Sequence, residues 1–207
     1  MRRSIDMIHT VIVPGVGGSE YAHWQSWLQR QLVSCSRVQQ SDWNSPILQN
    51  WVTEFVKTVA PIQDDIQIVA HSFGCLTTVA ALAQYPELQT KIKNVVLVAP
   101  ANPARFGESG FAEHSQSNYS AYFKQLKLAV PTHLLISEND PWLSFVDAQA
   151  LAQAWQLTPI NLGQVGHINV ASGFRAFPEI YDYLIAENMQ QHINISDKSK
   201  YLFKFAI

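Results

Sequence analysis

Four short apolar runs, at residues 10–13, 67–70, 95–99 and 133–137, alternate along the chain with stretches of helical periodicity. That alternation constrains the fold more than any other feature. Runs of Val, Ile, Leu and Ala this short, apolar at nearly every position rather than every second one, are expected of strands buried on both faces. A weaker fifth candidate covers residues 159–162. Residues 23–33 place Trp24, Trp27, Leu28 and Leu32 on one helical face, and residues 47–59 do the same with Leu48, Trp51, Phe55, Val56 and Val59. Residues 74–85, 144–155 and 176–189 complete the helical set. Strands and helices in alternation, joined by short connections, imply an α/β fold: a mainly parallel sheet with helices on both faces.

The 207 residues suit one such domain with a full core, and 47% of them are apolar against 14% charged. No internal repeat, low-complexity linker or composition shift divides the chain. We expect a single domain over residues 1–190 and a C-terminal tail of unknown role over 191–207, which leaves the periodic pattern and ends in an apolar stretch from Tyr201 to Ile207. A formal net charge of −2 without a basic stripe argues against nucleic acid or an anionic membrane surface as partner. The two cysteines, Cys35 and Cys75, make no disulfide framework, and no Cys/His cluster offers a metal site. The opening Met1-Arg2-Arg3 resembles a secretion signal, but Asp6 and His9 interrupt the apolar run and Pro14-Gly15 ends it early. No stretch is long enough to cross a bilayer. The sequons at Asn118 and Asn194 carry little weight without such a signal, so a reduced, cytoplasmic protein is expected.

The carboxyl end of each run meets a loop of unusual residues, at 14–19, 71–74, 100–103 and 138–142, and ligands bind at that edge of an open α/β sheet. Ile68-Val69-Ala70-His71-Ser72-Phe73-Gly74-Cys75 runs from an apolar strand through small residues into an Ala- and Leu-rich helix. That context fits a G-x-S-x-G nucleophile elbow, with Ala70 in place of the first glycine. Ser72 would project its hydroxyl from the sheet edge, and the Phe73 N–H would point to a developing oxyanion. The competing reading is that Ser72 merely caps the following helix.

Two later loops support catalysis. Gly163-Gln164-Val165-Gly166-His167-Ile168-Asn169 follows the last candidate strand, and Ser137-Glu138-Asn139-Asp140-Pro141 follows the one before. The chain order Ser72, Asp140, His167 is that of the α/β-hydrolase arrangement. A serine hydroxyl needs an imidazole to take its proton, and the imidazole needs a carboxylate on its other nitrogen. Glu138 rivals Asp140, and Asp147 suits a helix better. Asp140 is preferred because Asp-Pro forms a turn that aims the carboxylate over the sheet edge. Among the other histidines, His9 and His133 lie at strand starts, His114 and His192 in polar segments, and His71 is expected to pack within the elbow.

Val13-Pro14-Gly15-Val16-Gly17-Gly18-Ser19 is not a dinucleotide fingerprint, since Glu20 stands where a third glycine belongs. Its use is either a plain flexible turn or a loop whose backbone faces Ser72, with Val16 as second oxyanion donor. Cys75 is expected to pack as a small apolar group, and Trp142 to stand beside the pocket. The longest connection, residues 100–131, contains a polar run and one expected helix at 117–128. It leaves little room for a large cap, so short acyl groups are expected to suit the site best.

At these residues the chain resembles the small serine hydrolases named after a retinoblastoma-binding human member, and especially their bacterial relatives. The resemblance rests on residues 13–19 with His23-Trp24-Gln25, on 69–75, on Leu97-Val98-Ala99-Pro100-Ala101, on Asn139-Asp140-Pro141, and on Gly166-His167-Ile168-Asn169 with Ser172-Gly173-Phe174. It implies a compact α/β-hydrolase without a large cap, a triad of Ser72, Asp140 and His167, and hydrolysis of small esters or activated acyl compounds. It carries nothing over to the tail. Three readings stay open at this point: a cofactor-free hydrolase of a small-molecule acyl substrate, an acyltransferase with the same triad, and a partner-binding protein on a hydrolase scaffold.

Overall fold

The computed structural model describes residues 8–112 and 118–185. Six parallel strands form one sheet: β1 (His9–Val13), β2 (Cys35–Arg37), β3 (Ile66–Ser72), β4 (Ile92–Pro100), β7 (Thr132–Ile136) and β8 (Pro159–Asn161), in the order β2-β1-β3-β4-β7-β8. A small antiparallel pair, β5 (Phe106–Gly107) and β6 (Gly110–Phe111), lies in the long connection after β4. The helices are α1 (Trp24–Gln31), α2 (Leu48–Val59), α3 (Phe73–Gln84), α4 (Ser120–Gln125) and α5 (Phe145–Ala154).

The central strands explain their unbroken apolar runs. Ile66, Ile68 and Ala70 of β3, Val95 and Leu97 of β4, and Leu134 and Ile136 of β7 face a core built with α2, α3 and α5. The alternate residues Val69, Val96, Val98 and Leu135 face a second core with Trp24 and Leu28 of α1 and with Phe177, Ile180 and Leu184. A strand's side chains alternate between faces, so both sets must be apolar when both faces are covered. The parallel sheet, the helices on both faces and the lack of a large cap agree with the sequence reading.

The differences lie at the edges. The three-residue strand β2, unforeseen, is polar and half-buried, and it pairs with β1 only on one side. The expected helix over 176–189 is a 3₁₀ turn, Pro178–Tyr183, within the described residues. Pro178 opens that turn, and Ile180 is its one fully buried side chain. The expected helix at 117–128 shortens to α4. Ser117, His114, His192 and the tail from 191 lie outside the described residues. No described helix is long and apolar enough to cross a membrane.

Candidate active site

Ser72 ends β3 and precedes α3 with φ 55° and ψ −123°, a backbone conformation that non-glycine residues rarely adopt. The tight turn is permitted by what surrounds it. A Cβ on Gly74 would strike the carbonyl oxygens of Val13 and Pro14, so only glycine lets α3 start this close to the β1 loop. A Cβ on Gly15 would come within 2.7 Å of Ser72 Cβ and 3.2 Å of its Oγ. Ala70, four residues before Gly74, sits fully buried in the first core, which accommodates its methyl group. The Ser72 side chain makes no capping hydrogen bond to α3. The helix-cap reading is therefore set aside.

Instead Ser72 Oγ lies 3.0 Å from His167 Nε2, and His167 Nδ1 lies 2.7 Å from Asp140 Oδ2. A carboxylate only accepts, so Nδ1 carries the proton and Nε2 is left to accept from the serine hydroxyl. The Asp140 and His167 side chains are both buried. Asp140 Oδ1 accepts from the Trp142 N–H at 2.8 Å, the turn expected of Asp-Pro. Glu138 is turned away and accepts from Asn161 Nδ2 at 2.8 Å, while Asp147 accepts from the Ser144 hydroxyl at the start of α5. Thus the three residues singled out in sequence come together, and the two rival acids do not.

The loop carrying His167 is fixed at successive backbone groups. The His167 N–H donates to Ser172 Oγ at 3.0 Å, the His167 carbonyl accepts from His71 Nε2 at 2.9 Å, and the Ile168 carbonyl accepts from Trp24 Nε1 at 2.8 Å. Asn139 Oδ1 accepts from the Gly166 N–H at 2.7 Å and ties the acid loop to the base loop. His71 packs within the elbow as expected, its ring centroid 4.9 Å from those of both His167 and His23. Burial keeps His71 neutral, holding its pKa well below the ordinary imidazole value. His23 accepts from the Gln25 N–H at the start of α1, and burial, with Arg37 and His167 nearby, pushes its pKa down to about 3. His9 bridges the Ser34 and Ser36 hydroxyls and His133 packs on Tyr183, both remote from this edge. Cys75 is buried with its thiol on the Val98 carbonyl, and burial pushes its pKa up, which leaves it an inert packing group.

The glycine loop after β1 faces the same point. Gly17 N–H donates to the Trp43 carbonyl and Gly18 N–H to the Gly15 carbonyl, both at 3.0 Å. The Val16 N–H makes no such bond among the described residues, and it adjoins Gly15, where a side chain would run into Ser72. Gly17, Gly18 and Ser19 all have positive φ. Arg37, at the end of the unforeseen strand β2, holds this left-handed run: Nη1 donates to the Gly18 carbonyl at 2.9 Å and to the Ser19 carbonyl at 3.3 Å, and Nη2 to Ser26 Oγ at 2.7 Å. Sequence reasoning missed Arg37 because it lies on a strand with no apolar signal, and its partners come from the glycine loop and α1. Asn139 and Ser172 lay inside quoted motifs, but their roles needed the loops brought side by side.

A cleft of about 480 Å³ opens over Ser72. Its lining includes Val16, Ala101, Phe106, Phe111 and Trp142, so Trp142 stands beside the pocket as expected. Among the described residues no group of three His, Cys, Asp or Glu side chains is placed to hold a metal ion.

Comparison with known proteins agrees with this architecture. The family model described as serine hydrolase matches residues 10–186. YdeN of Bacillus subtilis, a protein proposed to be a hydrolase, is 23% identical over 178 residues, covering 84% of this chain and 92% of that protein. Its crystal structure superposes with a TM-score of 0.64 at 19% identity, covering 86% of this chain and 97% of that one. A YdeN-like protein of Pectobacterium atrosepticum, likewise proposed to be a hydrolase, is 33% identical with a TM-score of 0.73, covering 89% of this chain and 91% of that one.

Proposed function

The chain belongs to the serine hydrolase family, and from that premise we propose that it cleaves small carboxylic esters, or related acyl compounds, through an acyl-enzyme on Ser72. One observation carries the reading: Ser72 Oγ is within 3.0 Å of His167 Nε2 rather than on its own helix.

In the proposed cycle His167 Nε2 takes the Ser72 proton as Oγ adds to the substrate carbonyl carbon. Asp140 keeps the Nδ1 proton in place and stabilises the imidazolium; it is not itself protonated. The carbonyl oxygen becomes an oxyanion and is received by the N–H groups of Phe73, at the positive end of α3, and Val16. Collapse of the adduct expels the alcohol, which leaves with the proton from His167, and the acyl group stays on Ser72. Water then gives a proton to His167 and its oxygen to the acyl carbon. The second adduct releases the acid, and Ser72 recovers its proton. Side chains and water balance every proton, so the proposal includes no cofactor. The unpaired thiols of Cys35 and Cys75 support a reducing, cytoplasmic setting.

A fluorophosphonate probe tests the reading together with turnover of p-nitrophenyl acetate. The expected result is covalent labelling at Ser72, with label and turnover both lost in Ser72→Ala. Label that survives Ser72→Ala would overturn the assignment.

A further inference from the structure

Among the described residues two charged side chains, apart from the histidines, line the cleft, and they belong to opposite sides of the serine strand. Glu20 lies in the loop after β1 and Arg105 in the connection after β4, while β3, which ends at Ser72, runs between β1 and β4. Arg105 closes a short 3₁₀ turn, Pro103–Arg105, that Asn102 opens by accepting from the Ala104 N–H at 2.9 Å. Its guanidinium carbon lies 4.3 Å from the centroid of the Trp142 ring. The Trp142 backbone N–H donates to Asp140, which places this pair of side chains beside the proposed triad.

Stacking occupies a face of the guanidinium and leaves its in-plane donors available. Arg105 makes no ion pair and no side-chain hydrogen bond among the described residues, and Glu20 is not within ion-pair distance of it. Of the three histidines in the lining, His23 and His71 are buried and neutral and His167 is engaged with Asp140 and Ser72, while Ala101, Phe106 and Phe111 complete the β4 side with apolar surface. A fork of N–H donors with no partner among the described residues, at the rim of an apolar cleft, matches the planar, bidentate demand of a carboxylate or phosphate. Glu20 repels the same charge on the far side of Ser72, which gives the cleft a polarity.

We propose that Arg105, held by Trp142, is an anion subsite, and that the preferred substrate is an acyl compound with a carboxylate or phosphate reaching the β4 side of the cleft. The proposal rests on the reading of Ser72 as nucleophile and names the substrate class of that same site.

Two ester pairs distinguish where the anion resides. Mono-p-nitrophenyl glutarate against its methyl ester places the charge on the acyl side. 4-Acetoxyphenyl phosphate against its dimethyl ester places it on the leaving group. In one pair, the ratio of kcat/KM for the anionic over the neutral ester is expected to fall about five- to tenfold in Arg105→Gln and further in Arg105→Glu, the scale of a charge-assisted bond at a partly solvated site. A ratio unchanged by both substitutions in both pairs overturns the subsite while leaving the hydrolytic reading intact. Binding of monomethyl glutarate and dimethyl glutarate to Ser72→Ala, with and without Arg105→Gln, gives a readout independent of turnover. Arg105-dependent preference for the monoester there supports the subsite even if no ester is cleaved. Equal binding of both compounds, with or without Arg105, counts against it.

Discussion

Acidification from pH 7 to pH 5 is expected to destabilise the fold through the buried histidines behind His167. His23 has an ordinary value of 6.5 when the chain is unfolded and about 3 in the fold. Between those values the unfolded chain binds a proton that the folded chain refuses, so stability is present above 6.5 and is lost as the pH falls towards 3. Integrating that difference to pH 5 removes about 2 kcal/mol for this one residue. The structural cause is plain: His23 Nδ1 must accept from the Gln25 N–H to cap α1, and a cation there would face Arg37 and His167. His71 acts in the same direction, since its Nε2–H is committed to the His167 carbonyl and its ring is fully buried. A loss of this size is a substantial part of the 5–15 kcal/mol typical of a domain. The discriminating variant is His23→Asn, which keeps a capping acceptor but cannot titrate. Urea denaturation at both pH values should show wild type losing about 2 kcal/mol more than His23→Asn on acidification. Equal losses in the two proteins would refute the argument, whatever their absolute stabilities.

Asp140→Asn should lower kcat by about 10⁴, because an amide no longer fixes the His167 tautomer, while Glu138→Gln should change it less than about threefold; steady-state kinetics on a p-nitrophenyl ester check the pair, and a larger effect at Glu138 would reverse the assignment. Arg37→Met should lower kcat by about tenfold or more with KM nearly constant, since Arg37 holds the loop of the proposed oxyanion donor and not the bound ester, with the 10²–10³ loss of a whole donor as the upper scale. Arg37→Lys should recover part of that loss. A change confined to the thermal midpoint, with kcat untouched, would make Arg37 a purely structural clamp.

The parallel sheet was legible in the chain because a strand covered on both faces must be apolar at consecutive positions, and that pattern is written in contiguous residues such as Val95-Val96-Leu97-Val98. The meeting of Ser72, Asp140 and His167 was legible for a related reason: each lies at or just past the carboxyl end of such a run, and this is the edge where an α/β sheet binds ligands. The glycines at 15 and 74 were likewise visible as small residues beside a sharp turn. Tertiary structure decided the rest. Asp140 and Glu138 are two residues apart and chemically alike, and only the placement of His167, 27 residues from Asp140, selects between them. The Val16 N–H is left open in its loop because Trp43 and Gly15 engage the next two N–H groups, contacts that no local pattern encodes. Arg37 holds the glycine loop from a polar edge strand paired on one side, where burial imposes no apolar signature. Periodicity reports which face of an element is buried; it is silent on which side chains from distant loops meet across a sheet edge, because that depends on packing between segments far apart in the chain.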